Sequence, residues 1–279
     1  MQASPHQQRI LTAGLAVALV TLALWFGGVL VTLLLLALCG LGQWEFTAMF
    51  RPGAEHKNLR LTGVALGAAL VLAAQAAGPN AALWAFAACF WILALRFLLR
   101  YSREQSLEGT GARAAQFTDE LILLCSLAYI PLMLQFFLLL STREIILVVL
   151  STTVSDTAAF YAGTWLGKRK IWPQVSPKKS WAGSIGGLAG CVLAVTAFGL
   201  SLGQAPLAAW LLLGALLNLS AQLGDFFESA LKRSLEVKDS GTLLPGHGGL
   251  LDRIDSLLLA LPCYVLLRLV HPFFPPFFP

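Results

Sequence analysis

Between residues 10 and 270 the chain is a succession of apolar runs, each about as long as a bilayer is thick, broken by short polar segments. A membrane-spanning helix needs about 20 mostly apolar residues. Residues 61–77, 81–99, 117–140, 145–166, 183–201, 206–223 and 257–270 are of that kind, while the first apolar block, 10–46, is too long for one crossing. Gly27-Gly28 lies near the middle of that block, and glycine is a poor helix-interior residue, so the block reads as two spans joined by a tight turn. The expectation is an all-α polytopic membrane protein with about nine transmembrane helices. A soluble fold is excluded by charge: 12% of the residues are charged, against about 25% in a soluble domain.

Basic residues fix an expected orientation. With nine spans, 17 of the 19 Lys and Arg fall in the N-terminus and in the loops after the second, fourth, sixth and eighth spans; Arg143 and Arg268 alone fall on the other side. By the positive-inside rule the N-terminus is expected in the cytoplasm and the C-terminus, ending HPFFPPFFP, on the far side as an interfacial anchor. No small-residue cleavage motif follows the first run, which reads as a retained span. The long polar connections share the cytoplasmic side, so the expected chemistry uses a cytoplasmic substrate. The five cysteines stand singly in apolar stretches, which suits packing and not metal or redox work. The chain reads as one integral membrane domain over 1–279, with 1–150 as scaffold and 151–279 as the catalytic part.

The 14 acidic residues are unevenly placed. Asp156 lies half-way along an apolar run among Thr152, Thr153, Ser155 and Thr157. A carboxylate at mid-span is costly and normally faces a polar cavity or a partner, so this cluster is expected to form a polar wall. The densest constellation is residues 224–256. If the eighth span continues as helix, Asp225, Glu228 and Lys232 share one face. Lys238-Asp239 follows, then Pro245-Gly246-His247-Gly248-Gly249, then Asp252-Arg253-Ile254-Asp255 at the start of the ninth span. Glycines flanking a histidine let backbone amides approach an anion. Carboxylates beside lysines and arginines suit a metal-bound polyphosphate: the acids hold Mg²⁺, and the bases neutralise the oxygens it leaves uncovered. A third stretch, 163–181, is a loop with five bases and no acid. Its Ser176-Pro177-Lys178-Lys179-Ser180 places hydroxyls beside lysines just before a helix, where phosphate can be held.

Lys232-Arg233, Lys238-Asp239, the 245–249 glycine run and Asp252-Arg253-Ile254-Asp255 together resemble the signature of the phosphatidate cytidylyltransferases, or CDP-diacylglycerol synthases. Asp156-Thr157 with Phe160, Gly163 and Gly167-Lys168, and Ser176 to Ser180, also look like that family. The resemblance covers about residues 153–256 and departs at Phe160, commonly Tyr in the family, and at Ala182, commonly Glu or Gln. It implies the reaction of CTP with phosphatidate to CDP-diacylglycerol and pyrophosphate, on the cytoplasmic face of a bacterial inner membrane. Mg²⁺ is the implied cofactor, with a second cation such as K⁺ left open. CTP, phosphatidate and the lipid bilayer are the expected partners, a homodimer is an option, and nucleic acid is not expected.

The residue roles follow from the resemblance as expectations. Asp225, Glu228, Asp239, Asp252 and Asp255 make the metal site. Lys232, Arg233, Lys238, Asp239, His247 and Arg253 are the catalytic set, the bases neutralising the triphosphate and the departing pyrophosphate. Gly246, Gly248 and Gly249 bring amides to phosphate, Ser176, Lys178, Lys179 and Ser180 hold the triphosphate or the lipid phosphate, and Asp156 lines the cavity where headgroup meets nucleotide. Two other classes compete. A transporter would use Asp156 and Asp225 as an intramembrane relay but predicts pseudo-symmetric halves, whereas polar content is concentrated after Ser151. A membrane lipid kinase would use CTP as a phosphoryl donor.

Overall fold

A computed structural model of the chain describes residues 18–105, 117–243 and 248–275, together with Gly14. The described residues are helical almost throughout, with one isolated β-bridge between Lys170 and Ser180. Seven helical stretches among them are long and apolar enough to cross a membrane. The protein is an all-α polytopic membrane protein. Its helices form two compact units: residues through Leu138 with Ser240–Leu251, and Leu139–Asp239 with the chain from Asp252 onward.

The first unit contains α1 (Gly28–Phe50), α2 (Lys57–Ala77), α3 (Pro79–Gln105), α4 (Thr118–Tyr129) and the single turn α5 (Pro131–Leu134). Residues 18–26 are helical and stop at Gly27. Gly27 and Gly28 have φ of 63° and 46°, a region glycine enters without steric cost, so the first apolar block breaks where its sequence suggests. Gly78 (φ 81°) ends α2, and Pro79 opens α3, where a missing N–H costs nothing. Residues 117–140, expected as one helix, are not continuous. Pro131 follows Ile130 (ψ −74°) and starts a new turn that tightens into a 3₁₀ segment over Gln135–Leu139, because proline cannot donate to the preceding turn.

Leu59, Cys89, Leu93, Leu123 and Leu127 form one apolar cluster of this unit. At its polar end Asp119 pairs with Arg51 at 2.8 Å and Arg100 at 3.1 Å, and the fully buried Glu120 lies 3.3 Å from Arg96 and 3.4 Å from Arg100.

The second unit contains α6 (Thr142–Leu166), α7 (Trp181–Leu202), α8 (Leu207–Ser234) and most of α9 (Leu251–Val270). A glycine stripe lets α7 lie directly on α6: a Cβ on Gly183 would stand 2.8 Å from the Ala159 carbonyl, and one on Gly187 3.0 Å from that of Ser155. Gly63 and Gly67 are likewise used within the chain, against Leu123 and Gln43.

Ser141 and Glu144 cap the start of α6 reciprocally. The buried Glu144 carboxylate also accepts from the Tyr264 hydroxyl at 2.9 Å and pairs with Arg268 at 3.2 Å, tying the first turn of α6 to the last turns of α9. The tail corrects one expectation. Phe273 and Phe274 are buried, with ring centroids 5.1 and 5.5 Å from that of Trp210, so they pack inside the unit and not as an interfacial anchor. Gln204 holds them by donating to the Phe273 and Phe274 carbonyls.

Glu144→Ala removes a helix cap and the acid that Arg268 and Tyr264 share. It is expected to destabilise the protein by about 3–5 kcal/mol, while Tyr264→Phe costs only about 1 kcal/mol. Thermal unfolding of the purified variants in detergent measures both.

Candidate functional site

Helix α8 continues to Ser234, so Asp225, Glu228 and Lys232 do lie on one helix at the expected spacing. Their setting is more enclosed than a helix end in solvent. Glu228 is 0% exposed and Lys232 9%. The Lys232 ammonium stands 2.5 Å from Asp252 Oδ1 and 3.3 Å from Glu228 Oε1. Asp255, one turn beyond Asp252 on α9, is buried and faces Glu228 within hydrogen-bonding reach. Gly224 makes this convergence possible, since a Cβ there would stand 2.6 Å from the Asp255 carbonyl. Asp225 pairs with Lys179 at 2.5 Å and accepts from the Ser229 hydroxyl at 3.2 Å. Lys179, from the loop before α7, also lies 4.1 Å above the Phe226 ring.

Beside this cluster a cavity of about 610 Å³ opens between α6, α7, α8 and the 167–180 loop. Asp156 and Ser155 line it from α6, Gln222 and Asp225 from α8, and Lys170, Lys178, Lys179 and Ser180 from the loop and the start of α7. The loop is held in shape by its backbone: Ile171 donates to Lys179 and Trp181 to Arg169. Ser180 is the N-cap of α7, its hydroxyl oxygen accepting from the Gly183 N–H at 3.2 Å.

The polar wall around Asp156 is narrower than the sequence suggests. Thr152, Thr153 and Thr157 donate to carbonyls of their own helix, and Ser155 alone of these hydroxyls is bonded to another helix. It receives the Asn218 amide at 2.7 Å, Gln222 donates to Asn218 at 2.6 Å, and Ser184 closes the ladder on Gln222.

The structure therefore brings Asp225, Glu228, Lys232, Asp252 and Asp255 together with Lys179, and it sets Asp156, Lys178 and Ser180 on the adjoining cavity. Arg233, Lys238, Asp239 and Arg253 are exposed, and Ser176 is half-buried in the loop. Gly246 and His247 lie outside the described residues. Gly248 has φ 79°. Gly249 packs against Ser240, Gly241 and Glu45. Two contributors escaped the sequence reading. Lys170 was legible only as one of five loop bases. Glu45, a carboxylate inside an apolar run, carried the same signal as Asp156; it is buried in the first unit and accepts from Ser240, Leu250 and Leu251.

The donor chemistry fits a hard cation such as Mg²⁺, which takes oxygen ligands. With Asp225, Glu228, Asp252 and Asp255 ionised, the cluster carries −4 against +2 on Lys179 and Lys232, an excess of two negative charges. The Glu228 oxygens, both buried, then have no donor beyond the Lys232 ammonium. Among the described residues no three candidate ligands converge into a ready-made metal site.

A bundle of membrane-length helices that holds paired acids and bases beside a cavity defines an integral membrane protein with a candidate site among its helices. The sequence model of the "Cytidylyltransferase family" matches residues 7–271, and the chain belongs to that family. It is 42% identical over 153 residues to a protein of Staphylococcus aureus (strain COL) named "Phosphatidate cytidylyltransferase", the match covering 52% of this chain and 58% of that protein. Similarity to a protein of the same name from Bacillus subtilis (strain 168) is 48% over 118 residues, 41% of this chain and 44% of the relative. The chain thus matches about half the length of these curated relatives.

The Asn218 ladder generates a test of the cavity's support. Asn218→Ala leaves the Ser155 hydroxyl and the Gln222 amide without their shared partner and is expected to cost about 1–3 kcal/mol. A fall in unfolding temperature, with Ser155→Ala producing a smaller fall, is the expected readout.

Proposed function

We propose that this protein transfers the cytidylyl group of CTP to phosphatidate, giving CDP-diacylglycerol and pyrophosphate, at the cytoplasmic face of a bacterial inner membrane. The observation that carries the reading is the pairing of Lys232 with Glu228 and Asp252, and of Lys179 with Asp225, beside a cavity that Asp156, Lys170 and Lys178 also line. Family membership and the printed names of the relatives support it.

A phosphatidate oxygen attacks the α-phosphorus of CTP. A phosphorus–oxygen bond forms there, and the bond to the bridging oxygen breaks, so that pyrophosphate leaves with that electron pair. The nucleophile is already anionic, so no general base is required and catalysis rests on alignment and charge neutralisation. Asp225, Glu228, Asp252 and Asp255 are the residues that would hold Mg²⁺, with Asp239 from the adjoining segment as a further candidate. When bound, Mg²⁺ supplies Lewis-acid neutralisation of the phosphate oxygens. Lys179 and Lys232, released from their carboxylates, turn to phosphate oxygens, and Lys170, Lys178 and Ser180 receive phosphate in the cavity. Arg233, Lys238 and Arg253 neutralise the leaving pyrophosphate, and His247 with the 246–249 glycines contributes donors to it. Asp156 keeps the cavity wet enough for a headgroup to enter.

The deciding assay supplies purified protein with Mg²⁺, phosphatidate and CTP labelled separately at the α- and γ-phosphates. Label from the α-position is expected in lipid; γ-label in lipid would mean a kinase, and no lipid label would sink the reading. Asp252→Asn and Asp255→Asn are each expected to lower turnover by at least about 100-fold, as loss of a major charge-stabilising group does, while still inserting into membranes. Full activity in both would overturn the assignment of the acids.

A further inference from the structure

The loop 167–180 joins two membrane-length helices of the second unit, α6 ending at Leu166 and α7 starting at Trp181. A loop so placed lies where hydrocarbon gives way to headgroups. It carries five bases, Lys168, Arg169, Lys170, Lys178 and Lys179, and no acid. The proposed chemistry uses the three that line the cavity, Lys170, Lys178 and Lys179. Lys168 and Arg169 are left over. Both are exposed, neither lines the cavity, and among the described residues neither pairs with an acid.

Tryptophans stand at the same level. Trp165, in the last turn of α6, is 77% exposed, and Trp181, the first residue of α7, is 50% exposed. Tryptophan at the end of a membrane helix sits among the headgroups. Trp172 is 52% exposed and stands on the loop itself; its apolar ring and single N–H suit the same layer. The loop is also fixed in shape. Ile171 donates to the Lys179 carbonyl at 3.2 Å and Trp181 to the Arg169 carbonyl at 3.1 Å, while Val175 and Ser176 both donate to the Trp172 carbonyl. These bonds engage the backbone of Arg169 and not its guanidinium. A loop already ordered loses little freedom when it binds.

We propose that Lys168 and Arg169, held at headgroup level by the flanking tryptophans, form a surface that binds anionic phospholipid headgroups of the surrounding leaflet. Charge complementarity carries the choice of occupant. Each base near an acidic leaflet favours the anionic lipid by about fivefold, and a guanidinium meets a phosphate through two parallel N–H groups. Acidic lipid is thereby concentrated beside the cavity, phosphatidate among it. The lipid preference stands on the loop alone; its consequence for phosphatidate rests on the cytidylyltransferase reading above.

The test uses the full-length protein in nanodiscs of equal parts phosphatidylglycerol and phosphatidylcholine, with retained lipids counted by native mass spectrometry. The wild type is expected to retain phosphatidylglycerol preferentially. The double variant Lys168→Gln/Arg169→Gln should lower that preference roughly tenfold or more, and Lys168→Gln alone about fivefold; the single variant carries the test if the double one does not fold. In phosphatidylcholine nanodiscs doped with phosphatidate, KM for phosphatidate should rise by a similar factor, with KM for CTP and kcat within about twofold. Salt at about 0.5 M should bring the wild type close to the variant. An unchanged lipid preference in a folded variant overturns the surface. An unchanged KM for phosphatidate overturns its concentrating role, and an equal rise in KM for CTP would make these bases part of the nucleotide site and sink the proposal. Should the wild type form no CDP-diacylglycerol, the functional reading fails while the lipid count still decides whether the surface exists.

Discussion

Every charge this protein buries must be met inside the protein, because the hydrocarbon around a membrane helix offers no water to solvate it. The helices are arranged by that requirement as much as by apolar packing. Glu120 is matched by Arg96 and Arg100, Glu144 by Arg268 and Tyr264, Glu228 by Lys232, and Glu45 by backbone amides and a serine hydroxyl. Removing one member of such a set strands the other, which is why buried pairs are expensive to break although they add little net stability when intact. Glu144 with Arg268 joins helices far apart in sequence, whereas Glu228 and Lys232 share one helix.

The sequence could announce the membrane class and the position of the helices because hydropathy is a local property. It also announced the face shared by Asp225, Glu228 and Lys232, since helical spacing needs no tertiary knowledge. Partnership was not legible in the same way. Lys179 could be read as a phosphate-holding base, yet nothing local says that Asp225 faces it. Arg268 was counted only as a charge on the far side, and its pairing with Glu144 depends on how α6 and α9 pack. Pro131 was visible but was subsumed in an apolar run whose hydropathy does not change across the break. Glu45 was different, because a lone acid in an apolar block is itself a signal and the rule that singled out Asp156 applied to it equally. Phe273 and Phe274 misled for the opposite reason: they look interfacial by composition, and only the Trp210 surface and the Gln204 donors draw them inward.

Glycine does three separate jobs here, and they bear on how the signature is read. At Gly27 and Gly78 it permits a backbone of positive φ. At Gly183, Gly187 and Gly224 it removes a side chain so that two helices touch. At Gly241 and Gly249 it makes room for a carboxylate. A glycine in such a motif thus need not be there to touch a ligand: a Cβ on Gly249 would meet Ser240, Gly241 and Glu45.

The second unit's acid cluster poses a problem of charge that its lysines only half solve. Four carboxylates against two ammonium groups leave an excess of two, and Glu228 with Asp255 is the place where the excess is least tolerable, both being buried. On the proposed chemistry a divalent cation would offset that excess while both lysines stay, or would stand in for the two lysines if they turn to phosphate, but not both at once. A lysine cannot neutralise an acid and a phosphate with full strength at once, so on that chemistry Lys179 and Lys232 would reach phosphate only as a cation took their place beside the acids. The ion pairs of Lys179 and Lys232 keep part of this buried charge matched within the protein itself.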